Sequence, residues 1–541
     1  MKKLLCIILI FVVLAGLFTG CSSGKFGDTT QKGDDSTSAK SDQEDDTLGK
    51  PGELPVVLKP YKLSILTHQG YAFNVPPSND LPIYKRVQEL TGVEIEWQSV
   101  PGSNLAEVVK TRLAAAVDLP DMINMVSISA NDVFKFGQNK LFLELSKLID
   151  KNTYYLKKLF DENKVAKASY MDEYGNIYSV PESIVMETEW QYGTLINSKW
   201  LEKLGLSIPN TVDEFYNVLQ KFKKDDPNGN LKDDEIPLAA DQFIDIMGAA
   251  WGLNTEFNGV RRVRVDAQGK VQMDYINPRL KEFWAYLNRL YKEGLLDRDF
   301  TANTLNTFAE KIGQDRVGAI NWYIGLGISW NKLYDDTGNT VVFHPIAPLI
   351  GPYGDQNHYK RPNTISHWVI TKECKNPEIA LRYYDAVLFH PELINLLLWG
   401  IEDETYEVKD GVKQFINQDR DKLVQMGGLE WCLPNHQSAE YGIDIINRML
   451  TEYDKKYNRP YFTLEPFPEV SMTKEESEDY KKYITEINTY YDEMRVKFIS
   501  GQEPLDNFDK YVNRMKEELG IEKIQIINQQ RYDRFKKFIN E

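Results

Sequence analysis

From residue 61 the chain sets apolar against polar positions with two alternating periods. Leu63 and Ile65 mark a strand over 61–67, and Ile83, Val87 and Leu90 recur at helical spacing over 79–91 before Gly92. Alternation over 93–97 predicts a second strand. Leu105, Val108, Val109 and Leu113 predict a second helix with Asn104 as its cap, and 119–125 a third strand. Strand, helix, strand, helix, strand is the opening of a doubly wound α/β lobe, in which ligands lie beyond the carboxyl ends of the strands. That rule nominates His68, Gln69, Tyr71 and residues 124–127.

The pattern changes from Glu182 to Asn197, where Trp190 and Tyr192 precede a short apolar run at 194–197. Ser198 is placed to cap a helix over 199–204 that stops at Gly205. Thr211 and Glu214 form a capping box, and Phe215, Val218, Leu219 and Phe222 line one face of the helix it opens. A helix over 283–291 ends at Gly294, and strands are expected at 316–322, 341–348 and 365–371. Asn376-Pro377 opens a further helix with Ile379, Ala380, Tyr383, Val387 and Leu388 on its face. From 442 onward the chain reads as mostly helical.

Composition alters this picture at the ends. The 541 residues, 42% hydrophobic and 12% aromatic, describe a globular chain with room for two or more domains. A net charge of −16 argues against a nucleic-acid partner, which needs a basic footprint, and against an electrostatic grip on anionic lipid. Lys2 and Lys3 precede an apolar run over 4–18, a secretory signal too short to span a membrane comfortably, and residues 1–20 are assigned to it. Leu17 to Cys21 resembles a bacterial lipobox. This implies that Cys21 carries two acyl chains, enough for stable anchoring. Residues 21–59, nearly free of large apolar side chains before Leu54, are expected to form a disordered tether. Cys374 and Cys432 remain, either as a disulfide in an oxidising compartment or as two buried thiols.

Candidate chemistry begins with the stretch from Asp226 to Glu235. Asp226, Asn228 and Asn230 converge in a tightly curled loop. The Lys232 carbonyl with Asp234 and Glu235 closes an all-oxygen shell of the kind a hard cation such as Ca2+ requires. The first three positions follow the EF-hand rule. Leu231 then stands where that rule has Gly, and Pro237 replaces the closing Glu and forbids the outgoing helix. A fixed structural Ca2+ is expected here; the alternative is a solvated Asx/Gly turn.

A sugar site needs flat aromatics beside fork-shaped polar side chains. Among 10 Trp and 30 Tyr, those at predicted element ends are Trp190, Tyr192, Trp251, Trp322, Tyr323, Trp368 and Trp399. His367, Glu402 and Asp241 are their polar neighbours, and a core or structural role is the alternative for each. The run Asn321–Trp322–Tyr323, which closes a strand at a crossover, is the leading candidate. Arg261, Arg262 and Arg264 alternate as in an exposed hairpin, with an acidic sugar as the second reading. No metalloprotease, nucleophile-elbow, P-loop or zinc motif is present. A glycosidase needs only two carboxylates, and 80 acids leave that alternative open.

Several stretches together resemble a known family: 89–97 (Glu-Leu-Thr-Gly-Val-Glu-Ile-Glu-Trp), Leu119-Pro-Asp121, 197–206, 209–215, the Asp-Pro-Asn-Gly-Asn loop with 234–238, 290–297, 316–319, 376–378, 400–402 and 406–408. The resemblance is to the extracellular solute-binding lipoproteins of Firmicute ABC importers, the LplA-like branch, and to alginate-oligosaccharide-binding proteins. It implies an α/β, two-lobed periplasmic-binding-protein-like fold of class II type, with chain crossovers and a ligand cleft between lobes that close by a hinge. The first lobe is expected to take 60–185 and 314–371, the second 186–313 and 372–541. In the alginate binders the matching loop holds Ca2+, which maps onto Asp226, Asn228, Asn230, Lys232, Asp234 and Glu235. The resemblance further implies a monomeric, lipid-anchored receptor on the outer face of the bacterial membrane. It would pass oligosaccharides to permease subunits driven by a cytoplasmic ATPase.

Overall fold

The computed structural model describes residues 47–70, 75–186, 192–255, 262–323, 342–359, 364–409, 411–416, 421–429, 431–438, 456–457, 459–465, 467–468 and 470–540. Residues 47–541 form one compact unit. In chain order its strands are β1 (Tyr61–His68), β2 (Val93–Val100), β3 (Met122–Asn124), β4 (Val180–Met186), β5 (Tyr192–Asn197), β6 (Ile236–Ala239), β7 (Val263–Val265) and β8 (Val271–Met273). They continue with β9 (Val317–Tyr323), β10 (Phe343–Pro345), β11 (His358–Tyr359), β12 (Thr364–Ile370), β13 (Tyr406–Lys409), β14 (Val412–Phe415), β15 (Asn435–Ser438) and β16 (Phe462–Leu464).

Two sheets carry the architecture. A six-stranded sheet runs β15-β4-β12-β3-β1-β2, and a four-stranded sheet runs β10-β5-β9-β6. In each, neighbouring residues on a strand serve opposite cores, as the pleat dictates. Leu63, Ile65, Trp368 and Ile370 pack under the helices Pro82–Thr91 and Pro377–Phe389. Leu66, Ile123 and Val369 face the helix Gly102–Ala115 instead. In the second sheet Ile196, Leu238 and Ala319 join Phe215, Leu219 and Phe222 of the helix Val212–Lys224. Leu195, Ala239 and Ile320 turn to Phe308 and Ile312 of the helix Leu305–Gly313. Sheets covered on both faces explain the near-continuous apolar strands.

The capping box at Thr211 forms as expected: its hydroxyl accepts from the Glu214 amide at 3.1 Å, and the Glu214 carboxylate accepts from the Asn210 and Thr211 amides at 2.7 and 3.3 Å. Thr211→Ala is expected to cost about 1 kcal/mol of unfolding free energy in urea melts. Two other caps differ. Asn197, not Ser198, accepts the Trp200 amide at 3.2 Å, because Ser198 is already the first helical residue. The helix expected to start at Asn104 opens at Gly102 behind Pro101.

The lobe boundaries also differ from expectation. Strands β9 and β10, placed by sequence in the first lobe, pair in the four-stranded sheet. Among the described residues of 314–371, only β12 joins the first sheet. Residues 379–433, expected in the second lobe, bury Ile379, Tyr383, Leu393, Trp399 and Leu433 in the first-lobe core. An apolar strand or helix reads the same whichever sheet it covers, so its period does not name its partner. The tether is shorter than 21–59: Val56 and Val57 are buried, Gly49 donates to the Val56 carbonyl, and Val57 donates to that of Thr91. Residues 1–46 lie outside the described residues. The chain closes with the helices Lys474–Ser500, Phe508–Glu517 and Ile521–Asn540, packed mainly on the second lobe. Phe535 of the last helix also meets Val470 and Ala168, and the Met472 amide donates to Asn131 of the first lobe. Cys374 and Cys432 are both buried and are not joined in a disulfide.

Candidate functional site

Strand directions bring one edge of each sheet into play. β1, β2 and β3 are parallel, and β12 is antiparallel to both β3 and β4. The strands β1, β3, β4 and β15 therefore end at the edge where β12 begins. In the second sheet β6 and β9 are parallel and β5 opposes β9. Their carboxyl ends share an edge with the start of β5. β4 and β15 end and β12 begins at the first of these edges, and β5 begins at the second. This is the position where open α/β sheets bind ligands.

The first-lobe edge holds buried polar groups. Thr67 and Asn124 are fully buried, with the Thr67 hydroxyl and the Asn124 amide nitrogen making no aligned hydrogen bond. The buried Thr67 hydroxyl loses its hydration with no protein partner in exchange and so carries a stability cost, while the Asn124 amide nitrogen has the Glu182 carboxyl beside it. Glu182, beside Asn124, is pushed up to about 7 by burial, with Asn124 opposing the shift. Burial also lowers His68 and His436 to about 4. At neutral pH this edge therefore presents uncharged imidazoles and a carboxyl that is partly protonated.

The second-lobe edge carries Asp241, buried just after β6. Across β5 and β9, Thr194 faces Asn321, and its hydroxyl donates to Asn321 Oδ1 at 2.8 Å. Asn321 is wholly buried and its Nδ2 has no partner. Tyr192 and Tyr323 are register partners at the outer end of the same pair of strands.

The ion loop lies at the opposite end of this sheet, before β6. Asp226 accepts from the amides of Gly229, Asn230 and Leu231 at 3.0, 3.1 and 3.2 Å. Asn228 and Asn230 accept from the amides two residues on, and the Asn230 side chain donates to Asp234 at 3.0 Å. The loop fastens two strands at once: Asn228 donates to the Asp315 carbonyl, Arg316 donates to the Asp234 carbonyl, and Ile236 N donates to the Arg316 carbonyl at 2.7 Å. Leu231, standing where the EF-hand rule has Gly, takes a left-handed φ of 59° and is 92% exposed. Glu235 is buried, and its Oε1 has no hydrogen-bond partner. Burial raises its pKa, and the charges of Asp234 and Asp226 raise it further. A bound cation would relieve both. Among the described residues no three His, Cys, Asp or Glu side chains converge as a metal site. The oxygens offered here are instead shared among carboxylates, side-chain amides and a backbone carbonyl.

With this geometry the chain can be compared with known proteins. The profile of bacterial extracellular solute-binding proteins matches residues 80–391, more than half of the sequence. The chain belongs to that family. Among characterised members, the fructooligosaccharide ABC transporter substrate-binding protein FusA of Streptococcus pneumoniae is 27% identical over 499 residues, covering 84% of this chain and 87% of the relative. Lipoprotein LipO of Bacillus subtilis is 25% identical over 465 residues, covering 84% and 89%. The polygalacturonan/rhamnogalacturonan-binding protein YtcQ of Bacillus subtilis is 24% identical, covering 74% and 73%. The fold agrees with that of alginate-binding protein AlgQ2 solved without calcium ion, at a TM-score of 0.70 and 23% identity over 90% of this chain and 100% of that one. FusA in complex with kestose superposes at a TM-score of 0.69 and 24% identity over 89% and 100%. The two-lobed, periplasmic-binding-protein-like α/β fold expected from the sequence is thus the fold of this family member.

Within this solute-binding fold, several residues expected at the ligand prove to be core. Trp251 packs on Phe283 and Tyr286 at 5.1 and 5.3 Å. Trp368 is fully buried in mid-sheet. Trp399 stacks on Phe415 at 4.8 Å. Each ring fills apolar volume and presents no exposed face. Trp322 reaches the right edge but is buried against Phe308 at 4.9 Å. His367 sits between Phe134 and Tyr170, with Nδ1 2.9 Å from the Ser179 hydroxyl. Glu402 is exposed in the turn before β13, within the first lobe. Arg262, expected on an exposed hairpin, is buried over the Tyr491 ring at 3.9 Å, while Arg264 pairs with Asp274 at 2.9 Å. Trp190, Tyr71, Arg261 and Cys21 lie outside the described residues, as do the side chains of Tyr192 and Tyr323. The sequence reading passed over Glu182 and His436. An acid inside the apolar run 180–185 was the available signal for the first.

Proposed function

We propose that this protein is the lipid-anchored substrate-binding component of an ABC importer that captures oligosaccharides. The observation that carries the reading is the pair of carboxyl edges lined by buried polar side chains, among them the Asn321 amide nitrogen, which has no aligned hydrogen bond. Ring hydroxyls supply the acceptors such groups need. The family relatives named for fructooligosaccharide, polygalacturonan and alginate support a carbohydrate cargo. His68, Asn124, Glu182, Asp241, Thr194 and Asn321, with Tyr192 and Tyr323, are the residues assigned to the ligand. The signal at 1–20 and the thioether at Cys21 would hold the receptor on the outer membrane face, as a monomer serving permease subunits and their ATPase; the relationship to Lipoprotein LipO supports the anchor. Ca2+ is assigned to Asp226, Asn228, Asn230, the Lys232 carbonyl, Asp234 and Glu235. There it serves as a structural charge, remote from the cargo.

A thermal-shift screen of the mature protein against neutral and acidic oligosaccharides tests the assignment. One series should raise the melting temperature by an amount that grows as RT ln(1 + [L]/Kd), with no new reducing ends formed. Release of reducing ends in proportion to protein, lost when one carboxylate is replaced, would instead establish a glycan-degrading enzyme.

A further inference from the structure

Strand β12 begins at the first-lobe edge and is extended except at one residue. Ser366, the third of its seven residues, has a φ of 53°. Among the described residues, it is the non-glycine residue with a left-handed φ inside a strand; the others lie in turns, loops and helix ends. At such a φ the β-carbon crowds the backbone, so L-residues avoid the region and glycine does not. Nor does the strand gain from it, since a left-handed residue breaks the pleat. Strain of this kind persists where the surroundings over-determine it, and it gathers at ligand sites.

The surroundings of Ser366 do over-determine it. The register pairs Ile365 with Ser183 and His367 with Pro181, so Ser366 stands opposite Glu182 where the ladder is interrupted. On the other side, the His367 carbonyl accepts from the Met125 amide at 2.9 Å, which ties the next residue to the end of β3. The Tyr170 hydroxyl donates to the Ser366 carbonyl at 3.1 Å. Tyr170 is itself fixed, buried against Phe160 and the His367 ring. Ser366 is only half-buried, unlike His367 and Trp368 after it, and its hydroxyl makes no hydrogen bond among the described residues. A glycine would satisfy this backbone without strain. What serine adds is the hydroxyl, on the edge where Asn124 and Glu182 are buried.

We propose that Ser366 is a cargo contact, held in a strained backbone so that its hydroxyl meets a ring hydroxyl of the bound oligosaccharide beside Glu182. The proposal rests on the reading of the cargo as oligosaccharide. A serine hydroxyl both donates and accepts, so it can meet a sugar hydroxyl of either orientation.

Two variants separate the hydroxyl from the strain. Ser366→Gly removes both and suits the left-handed φ, whereas Ser366→Ala removes the hydroxyl and keeps the β-carbon. Without ligand, the melting temperature of the mature protein should rise by roughly 2–4 °C in Ser366→Gly and stay near wild type in Ser366→Ala. Isothermal titration with short fructo-, manno- and galacturono-oligosaccharides should find a series that wild type binds. Both variants should bind it roughly 3–10-fold more weakly, the loss of one neutral hydrogen bond. A glycine variant that melts higher yet binds as tightly as wild type overturns the contact and leaves the cargo reading intact. Weaker binding in the glycine variant alone also overturns it, because the backbone and not the hydroxyl would then set the affinity. Wild type that binds none of the three series overturns the cargo reading and the contact together.

Discussion

Excess chelator is expected to lower the melting temperature of the protein by about 5–10 °C, and Asp226→Ala in the presence of Ca2+ to reproduce the shift. A cation held at about 100 times its Kd stabilises by roughly 2.7 kcal/mol, and each kcal/mol is worth about 2–4 °C in a lobe of this size. The argument starts from Glu235. Its buried Oε1 has no partner, and Asp226 and Asp234 both act to keep it protonated. The Lys223 charge opposes them in part, but Lys203 and Lys223 are hydrogen-bonded to the Asp226 carbonyl and the Asp233 carboxylate, and Arg316 donates to the Asp234 carbonyl. No basic side chain is hydrogen-bonded to Glu235 among the described residues. Because the loop fastens the end of Val212–Lys224 to the starts of β6 and β9, the loss should spread through the four-stranded sheet. Glu235→Gln separates this from simple loop damage: it removes a buried charge that no hydrogen-bonded cation neutralises, so the chelated variant should melt above chelated wild type while responding little to Ca2+. Wild-type melting that is identical with and without chelator removes the cation and leaves a solvated turn.

The loop was legible because its chemistry is local. Asp226, Asn228 and Asn230 declare their convergence by spacing, and Thr211 with Glu214 declares the helix that delivers them. The first lobe was legible for a related reason, since β1 to β3 and their helices follow one another in order and each contact is close in sequence. Legibility failed where partners are distant. β9 and β10 are apolar on both faces, and nothing in 317–323 says that β5 and β6 rather than β3 will flank it. Trp251, Trp368 and Trp399 failed for a second reason: an aromatic at an element end is equally suited to filling a core or stacking on a sugar. Asn321 and its neighbour Trp322 meet different environments, both buried. A buried amide with one end unpartnered is costly unless something binds it, whereas a buried indole in an apolar cluster needs no such justification.

The same reasoning makes Glu182 the most pH-sensitive group of the candidate site. Its carboxyl lies between Asn124 and the α-helical layer that carries Tyr384, and burial raises it from 4.5 to about 7. Between those values the folded protein holds a proton that the unfolded chain has released, so stability falls as pH rises across the window and is level above it. A shift of this size corresponds to roughly 3 kcal/mol. His68 and His436 act in the opposite sense: each is lowered from 6.5 to about 4, so their contribution is full above 6.5 and is lost on acidification. The wild-type profile mixes these opposed slopes, and the difference between wild type and Glu182→Gln isolates one. Urea melts from pH 4.5 to 8 should show the variant gaining on wild type by up to about 3 kcal/mol, all of it below pH 7.5. Parallel profiles would place Glu182 in contact with a compensating group and remove it from the ligand edge. A cargo hydroxyl that donates to the carboxylate would reverse the bias, so the same variant should also flatten the pH dependence of oligosaccharide affinity.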